Sequence, residues 1–156
     1  MHIRLQSCVN TVYLFSIFVL IHSRYAHLET SKRLVAKDAN LYATDDNGRY
    51  PIHSAAQSMY DSAEIIAFFL ETGNKQDINL KDFNDRTPLH EACLIGNEGS
   101  VITLLANGAD VNAKSKAGHT PLHMVKRDTG IWNMLVEGGA DTTARNNKGE
   151  LPGEAV

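Results

Sequence analysis

The sequence predicts an all-α solenoid, a row of helix-turn-helix units with short β-hairpin-like connections. Three observations carry that expectation. Prolines fall at 51, 88, 121 and 152, at spacings of 37, 33 and 31 residues. Histidines stand two places after the first three prolines, at 53, 90 and 123. A second block, Leu104-Leu-Ala-Asn-Gly-Ala-Asp-Val-Asn-Ala113, recurs in phase with the prolines, with gap-free counterparts starting at Leu34 and Leu135. Self-similarity at such a period marks stacked units, none of which buries its apolar face alone.

The first block reads Asp45-Asp-Asn-Gly-Arg-Tyr-Pro-Ile-His-Ser-Ala55, Asp82-Phe-Asn-Asp-Arg-Thr-Pro-Leu-His-Glu-Ala92 and Ser115-Lys-Ala-Gly-His-Thr-Pro-Leu-His-Met-Val125. A degenerate copy closes the chain from Asn146 to Val156. Thr87 and Thr120 stand before a proline that opens an apolar stretch; a threonine hydroxyl is suited to cap the first free amides of a helix, and proline at the first helical position forfeits no bond. Ile65, Ile66, Phe69 and Leu70, like Val101, Leu104 and Leu105, are spaced to share one face of a second helix. Gly73, Gly108 and Gly139 follow that helix, where a left-handed terminus favours glycine. Pairs such as Asn47-Gly48 and Asn107-Gly108 are turn chemistry.

Thr-Pro-Leu-His-x-Ala near a 33-residue period, followed by Leu-Leu-x-x-Gly-Ala-Asp-Val-Asn, resembles the ankyrin repeat. The likeness is fullest at Thr87, Pro88, Leu89, His90 and through Leu104–Asn112; Pro51 and His53, and Thr120, Pro121, Leu122 and His123, carry it in the flanking units. It covers residues 28 to 156: a half-unit at 28–44, repeats at about 45–81, 82–114 and 115–145, and a truncated unit at 146–156. The resemblance implies an ankyrin-repeat solenoid that binds another protein, with histidines that hydrogen-bond within and between repeats. Three full units are near the minimum for stability, so modest stability is expected.

Departures from the pattern locate irregular places. Tyr50 and Leu151 replace the capping threonine, so the first and last units are expected to lose that cap. Asp85 stands where glycine is usual, and Asp tolerates the left-handed region better than most residues. The first unit has two extra residues near Ser58–Asp61 and two near Asn74–Asp77; the third lacks two, expected near Asp128–Gly130.

The N-terminus follows other rules. Met1–Gln6 holds one positive charge, Arg4, and no acid; Val12–Ile21 is nearly all apolar, and polarity resumes at His22-Ser-Arg24. That order reads as a secretory signal ending at about Ser23, which places the protein outside the cell or in a periplasm. The whole apolar run, Cys8–Ile21, is about 14 residues, short of the ~20 that span a bilayer. A retained cap helix and a short anchor are the other readings, with a cytoplasmic or membrane-anchored protein as the consequence. Contact with a membrane is expected only through this segment.

Composition excludes more than it identifies. A formal net charge of −3 argues against a nucleic-acid binder, which would show a basic face. Two cysteines, Cys8 and Cys93, give no disulfide framework, and Cys93 reads as a small buried apolar residue. There is no H-E-x-x-H, paired C-x-x-C, G-x-S-x-G or phosphate-cradling glycine loop. No enzyme activity, cofactor, metal or small-molecule substrate is therefore predicted. The three motif histidines occupy one repeat position and would not converge on one ion. The acids Asp45, Asp46, Asp82 and Asp85 fall on hairpin tips, where solvated charge is expected.

The resemblance also implies a binding face made of hairpin tips and first helices, concave in such arrays. By position it comprises Asp46, Asn47, Arg49 and Gln57, with Ser58, in the first unit; Phe83, Asn84, Arg86 and Leu94, with Ile95, in the second; and Lys114, Lys116, His119 and Arg127 in the third. Phe83 with Arg86 is the strongest pair, since aromatics and arginine dominate binding hot spots; packing of Phe83 on the neighbouring hairpin is the equal alternative. Asn112, within Asp110-Val-Asn112, resembles the ankyrin context that an asparaginyl hydroxylase of animal cells modifies.

Overall fold

The computed structural model describes residues 18, 19, 21–25 and 27–154. Six α-helices with bounds follow in order: α1 Leu28–Val35, α2 Pro51–Ala56, α3 Ala63–Thr72, α4 Pro88–Ile95, α5 Glu98–Ala106 and α6 Gly130–Glu137. Two 3-10 helices, Lys75–Asn79 and Pro121–Met124, complete them, and residues 18, 19 and 21–24 are also helical. Among the described residues there is no strand. The predicted all-α array of paired helices is thus what the chain forms. The expected export signal falls mainly on residues 1–17, which lie outside the described residues.

One hydrophobic core runs the length of the stack. Ile52, Ala55, Ile65, Ile66, Phe69 and Leu70 pass it to Leu89, Ala92, Val101 and Leu104, and these to Leu122, Ile131 and Leu135. First helices pack on first helices (α2 on α4) and second on second (α3 on α5, α5 on α6). Cys93 is buried among them, and burial pushes its thiol pKa up, so it is an inert apolar filler. Val19 is fully buried in the same core.

The helix termini follow the sequence with one exception. Gly108 and Gly139 have φ of +87° and +91°, and the next amides, Ala109 and Ala140, bond back to Leu104 and Leu135 at 3.0 and 2.9 Å. Asp38 takes the same place after α1 with φ +61°, Ala39 bonding to Leu34 at 3.1 Å. Each is the glycine-type helix stop in which the chain turns through the left-handed region. Gly73 is the exception: its φ is −90°. The two extra residues that follow it wind into the Lys75–Asn79 turn, and the Asp77 carboxylate lies 2.7 Å from where a Cβ on Gly73 would stand. Glycine is required there for space, not for backbone hand.

The shortened third unit is also placed differently. Its first helix shrinks to the single 3-10 turn Pro121–Met124, and Val125 is already extended. Asp128 then turns with φ +62°, and the Thr129 hydroxyl accepts the Trp132 amide at 3.2 Å to start α6. The missing residues are taken from the helix rather than from the Asp128–Gly130 turn alone.

Candidate protein-binding surface

Each hairpin tip is organised by its first residue. Asp45 Oδ1 accepts the amides of Asn47 and Arg49, both at 2.9 Å; Asp82 Oδ1 accepts those of Asn84 and Arg86 at 2.7 and 2.9 Å. Asn146 does the same for Lys148 and Glu150, at 2.9 and 3.0 Å. The expectation of solvated charge is therefore wrong for Asp45 and Asp82: these carboxylates are turn scaffolds, and Asp82 is buried. Burial acts to raise the Asp45 pKa, but the Arg49 and Asn47 amides and the Arg49 guanidinium outweigh it and hold the group below the usual carboxylate range. Asp46 is exposed, as expected.

The tips are tied to one another by backbone bonds. Phe83 donates to Asn47, Lys116 to Asn84 and Asn147 to Ala117, at 3.0, 2.9 and 3.0 Å. The motif histidines supply the second tie. His90 Nδ1 accepts the Thr87 amide at 3.1 Å, so Nδ1 carries the lone pair and Nε2 the proton. Nε2 then donates to the His119 carbonyl at 3.0 Å. His53 reaches the Arg86 carbonyl and His123 the Glu150 carbonyl in the same way, at 3.0 and 3.3 Å. The histidines thus bond within and between units.

The cap is built otherwise than expected. The Thr87 and Thr120 hydroxyls meet the Nδ1 atoms of His90 and His123 at 3.0 and 2.9 Å, so the imidazole is the hub of each cap. Tyr50 loses the hydroxyl bond, yet its amide still reaches His53 Nδ1 at 3.3 Å. At Leu151 the amide bonds to Glu154 Oε2 at 2.8 Å. Glutamate there stands in for histidine, so the last unit keeps a cap rather than losing it.

The residues expected on the binding face differ in their surroundings. Asp46, Asn47, Asn84, Lys114 and Lys116 are exposed on or beside the tips, and His119 is half-buried near the His123 ring. Phe83 packs on the neighbouring hairpin: one side of the ring covers Gly48 so closely that a Cβ there would collide with Cδ1, while the residue stays 63% exposed. Arg49, Gln57 and Arg86 form an internal chain. Arg49 donates to Gln57 Oε1 at 2.9 Å, Gln57 Nε2 to Glu91 at 3.0 Å, and Arg86 to Glu91 at 3.5 Å. Glu91, which the sequence presented only as a motif spacer, is buried at the centre of this chain. Desolvation raises its pKa against the pull of Arg86.

Two residues lie away from the tips. Leu94 lines a groove at the far end of α4 from the tips. Arg127 lies over the Trp132 ring at 5.6 Å and donates to the Pro152 carbonyl at 3.2 Å, holding the last unit against the third. Asn112 is exposed, but both ends of its amide are engaged: Oδ1 accepts the Asp141 amide at 2.8 Å and Nδ2 donates to Gly139 at 3.0 Å. Among the described residues no cluster of His, Cys, Asp or Glu could hold a metal ion, and no helix is long and apolar enough to cross a membrane.

A solenoid of paired helices with hairpin tips and one hub histidine per full unit defines a repeat-type binding scaffold. The family pattern described as ankyrin repeats (three copies) matches residues 18–115 and 60–146, and the chain belongs to the ankyrin-repeat family. It is 30% identical over 130 residues to neurogenic locus notch homolog protein 1 of Xenopus laevis, covering 82% of this chain and 5% of that protein. It is 35% identical over 121 residues to palmitoyltransferase AKR1 of Lachancea kluyveri, covering 76% of this chain and 16% of that one. The chain thus spans a small part of these curated relatives. Ankyrin repeats generally mediate protein–protein interaction.

Proposed function

We propose that the protein is a non-catalytic interaction module that binds a partner protein through the row of hairpin tips. The observation that carries this is the residue next to the turn scaffold in three successive tips: Asp46, Phe83 and Lys116, all exposed. Phe83 presents an aromatic face at the centre of the row, held from behind by Gly48. An anchored aromatic between an acidic and a basic tip is the composition of a binding hot spot with a charged rim. Affinity capture with the array, compared with Phe83→Ala, tests it. Loss of a partner that the wild type retains supports the tip surface; unchanged recovery removes Phe83 from it.

Export of the array is carried by the apolar order of residues 12–24. A second reading, in which the N-terminus is retained as a cap, is favoured by Val19, fully buried in the core. Cleavage after Ser23 would strip that contact. Sequencing the N-terminus of the protein isolated from its host separates the two: Met1 at the start ends the export reading, and a start at residue 24 ends the cap reading.

A further inference from the structure

We infer that the groove between the inter-helix loops of the first two units is a second docking surface, taking a basic segment of a partner protein anchored by an apolar side chain. The groove is open to solvent, with a volume of about 750 Å³. Met59 and Tyr60 form one wall and Leu94 and Ile95 the other. These side chains are 85%, 57%, 46% and 41% exposed, an apolar patch of the kind that marks interaction sites.

Met59 and Tyr60 belong to the stretch in which the first unit carries two extra residues. The loop that holds them is pinned. Asn97 Nδ2 donates to the Ser58 and Tyr60 carbonyls, both at 2.9 Å, while its Oδ1 accepts the Ser100 amide at 3.0 Å. The Tyr60 amide bonds to Ser58 Oγ at 3.0 Å. Three bonds to loop backbone fix the wall before anything binds, which lowers the entropy cost of docking. None of them uses the Met59 or Tyr60 side chain, and neither side chain joins the core.

Charge selects the occupant. The charged residues that line the groove are Asp61 and Glu98, both exposed, and no lysine or arginine lines it. The Asp61 carboxylate accepts the Ala63 amide at 3.1 Å at the start of α3, and the Glu98 carboxylate lies against Gly130 at the start of α6; both helix starts offset part of the charge. What remains favours lysine or arginine beside the apolar anchor and disfavours an acidic segment.

The test titrates the isotope-labelled full chain with a short amphipathic lysine–leucine peptide and with its glutamate-for-lysine counterpart, following backbone amide resonances. The basic peptide should shift residues 58–61 and 94–99 saturably, and the acidic one should not. Met59→Ser/Tyr60→Ser should weaken binding about tenfold, the loss of roughly one strong contact, with an unchanged thermal midpoint because the pinning bonds are kept. Glu98→Gln should weaken binding and flatten its salt dependence. Equal response to both peptides, shifts centred on the tips, or full affinity in Met59→Ser/Tyr60→Ser would each overturn the inference. So would self-association through this groove without peptide response. Phe83→Ala addresses the tip surface alone, so failure there and failure here are read separately.

Discussion

His90 Nε2 donates to the carbonyl oxygen of His119 at 3.0 Å, so a side chain of one unit closes a backbone bond of the next. The two bonds together require a neutral ring with its proton on Nε2, because Nδ1 must accept the Thr87 amide. Protonating the ring would put a second N–H against that amide. Burial opposes the charge as well, lowering the His90 pKa from 6.5 to about 4.

Stability is therefore expected to fall with acid. A histidine whose folded pKa is depressed contributes fully above its unfolded value and loses the contribution as pH drops from 6.5 towards 4. The displacement at His90 corresponds to roughly 3 kcal/mol. His53 and His123 are lowered too, largely by burial, and act in the same direction. Glu91, raised by burial, acts oppositely: it favours the fold as pH falls through its own raised value. Urea midpoints across this range should decline as pH falls below 6.5, and a midpoint that stays constant to pH 4 would refute the histidine account.

Gly48 is held at φ +75° under the Phe83 ring. Gly48→Ala should cost about 2 kcal/mol, combining the left-handed penalty with displacement of the ring. Adding Phe83→Ala should recover only the steric part. A double-mutant cycle by chemical denaturation checks this: additive losses would mean that the ring and the tip backbone are uncoupled.

Asp85 occupies the equivalent place with φ +57°. Asp85→Gly is expected to stabilise the array by about 0.5–1 kcal/mol, since glycine adopts this conformation without a Cβ penalty. A lowered thermal midpoint would instead assign the aspartate a stabilising contact of its own.

Glu91 separates shape from charge. Glu91→Gln keeps one acceptor oxygen, enough for Gln57 at 3.0 Å, gives up the longer bond from Arg86 at 3.5 Å, and removes a buried charge. A change within about 1 kcal/mol is expected. Glu91→Ala strands both partners and should cost about 2–4 kcal/mol. Thermal denaturation of the two variants gives the comparison, and equal losses would show that the carboxylate charge itself is what matters.

The repeat order was legible because each period is marked by residues with one backbone role apiece. Proline opens a helix, and glycine at 108 and 139 ends one. Gly73 misled because a glycine can serve packing as well as backbone hand, and the added residues after it bring the Asp77 carboxylate to its face. Glu91 was invisible as a hub because its partners Gln57 and Arg86 come from other parts of the fold. Leu94 and Arg127 were assigned to one face of hairpin tips and first helices by position in an idealised unit. The Met59–Tyr60 loop gives Leu94 another neighbour, and the C-terminal unit occupies Arg127. Insertions and truncations change what a residue meets without changing the residue.

The tips also make the units non-interchangeable parts. At the first joint a large ring, Phe83, lies over Gly48; at the third, Asn147 approaches Gly118, whose Cβ position is 2.5 Å from the side-chain oxygen. The central unit supplies the ring on one side but carries Asp85 on the other. A tandem duplicate of residues 82–114 would press the copied phenylalanine onto the aspartate Cβ. The best-formed repeat is thus not simply copied in place: lengthening the array at its centre is expected to require glycine instead of aspartate at the position of residue 85.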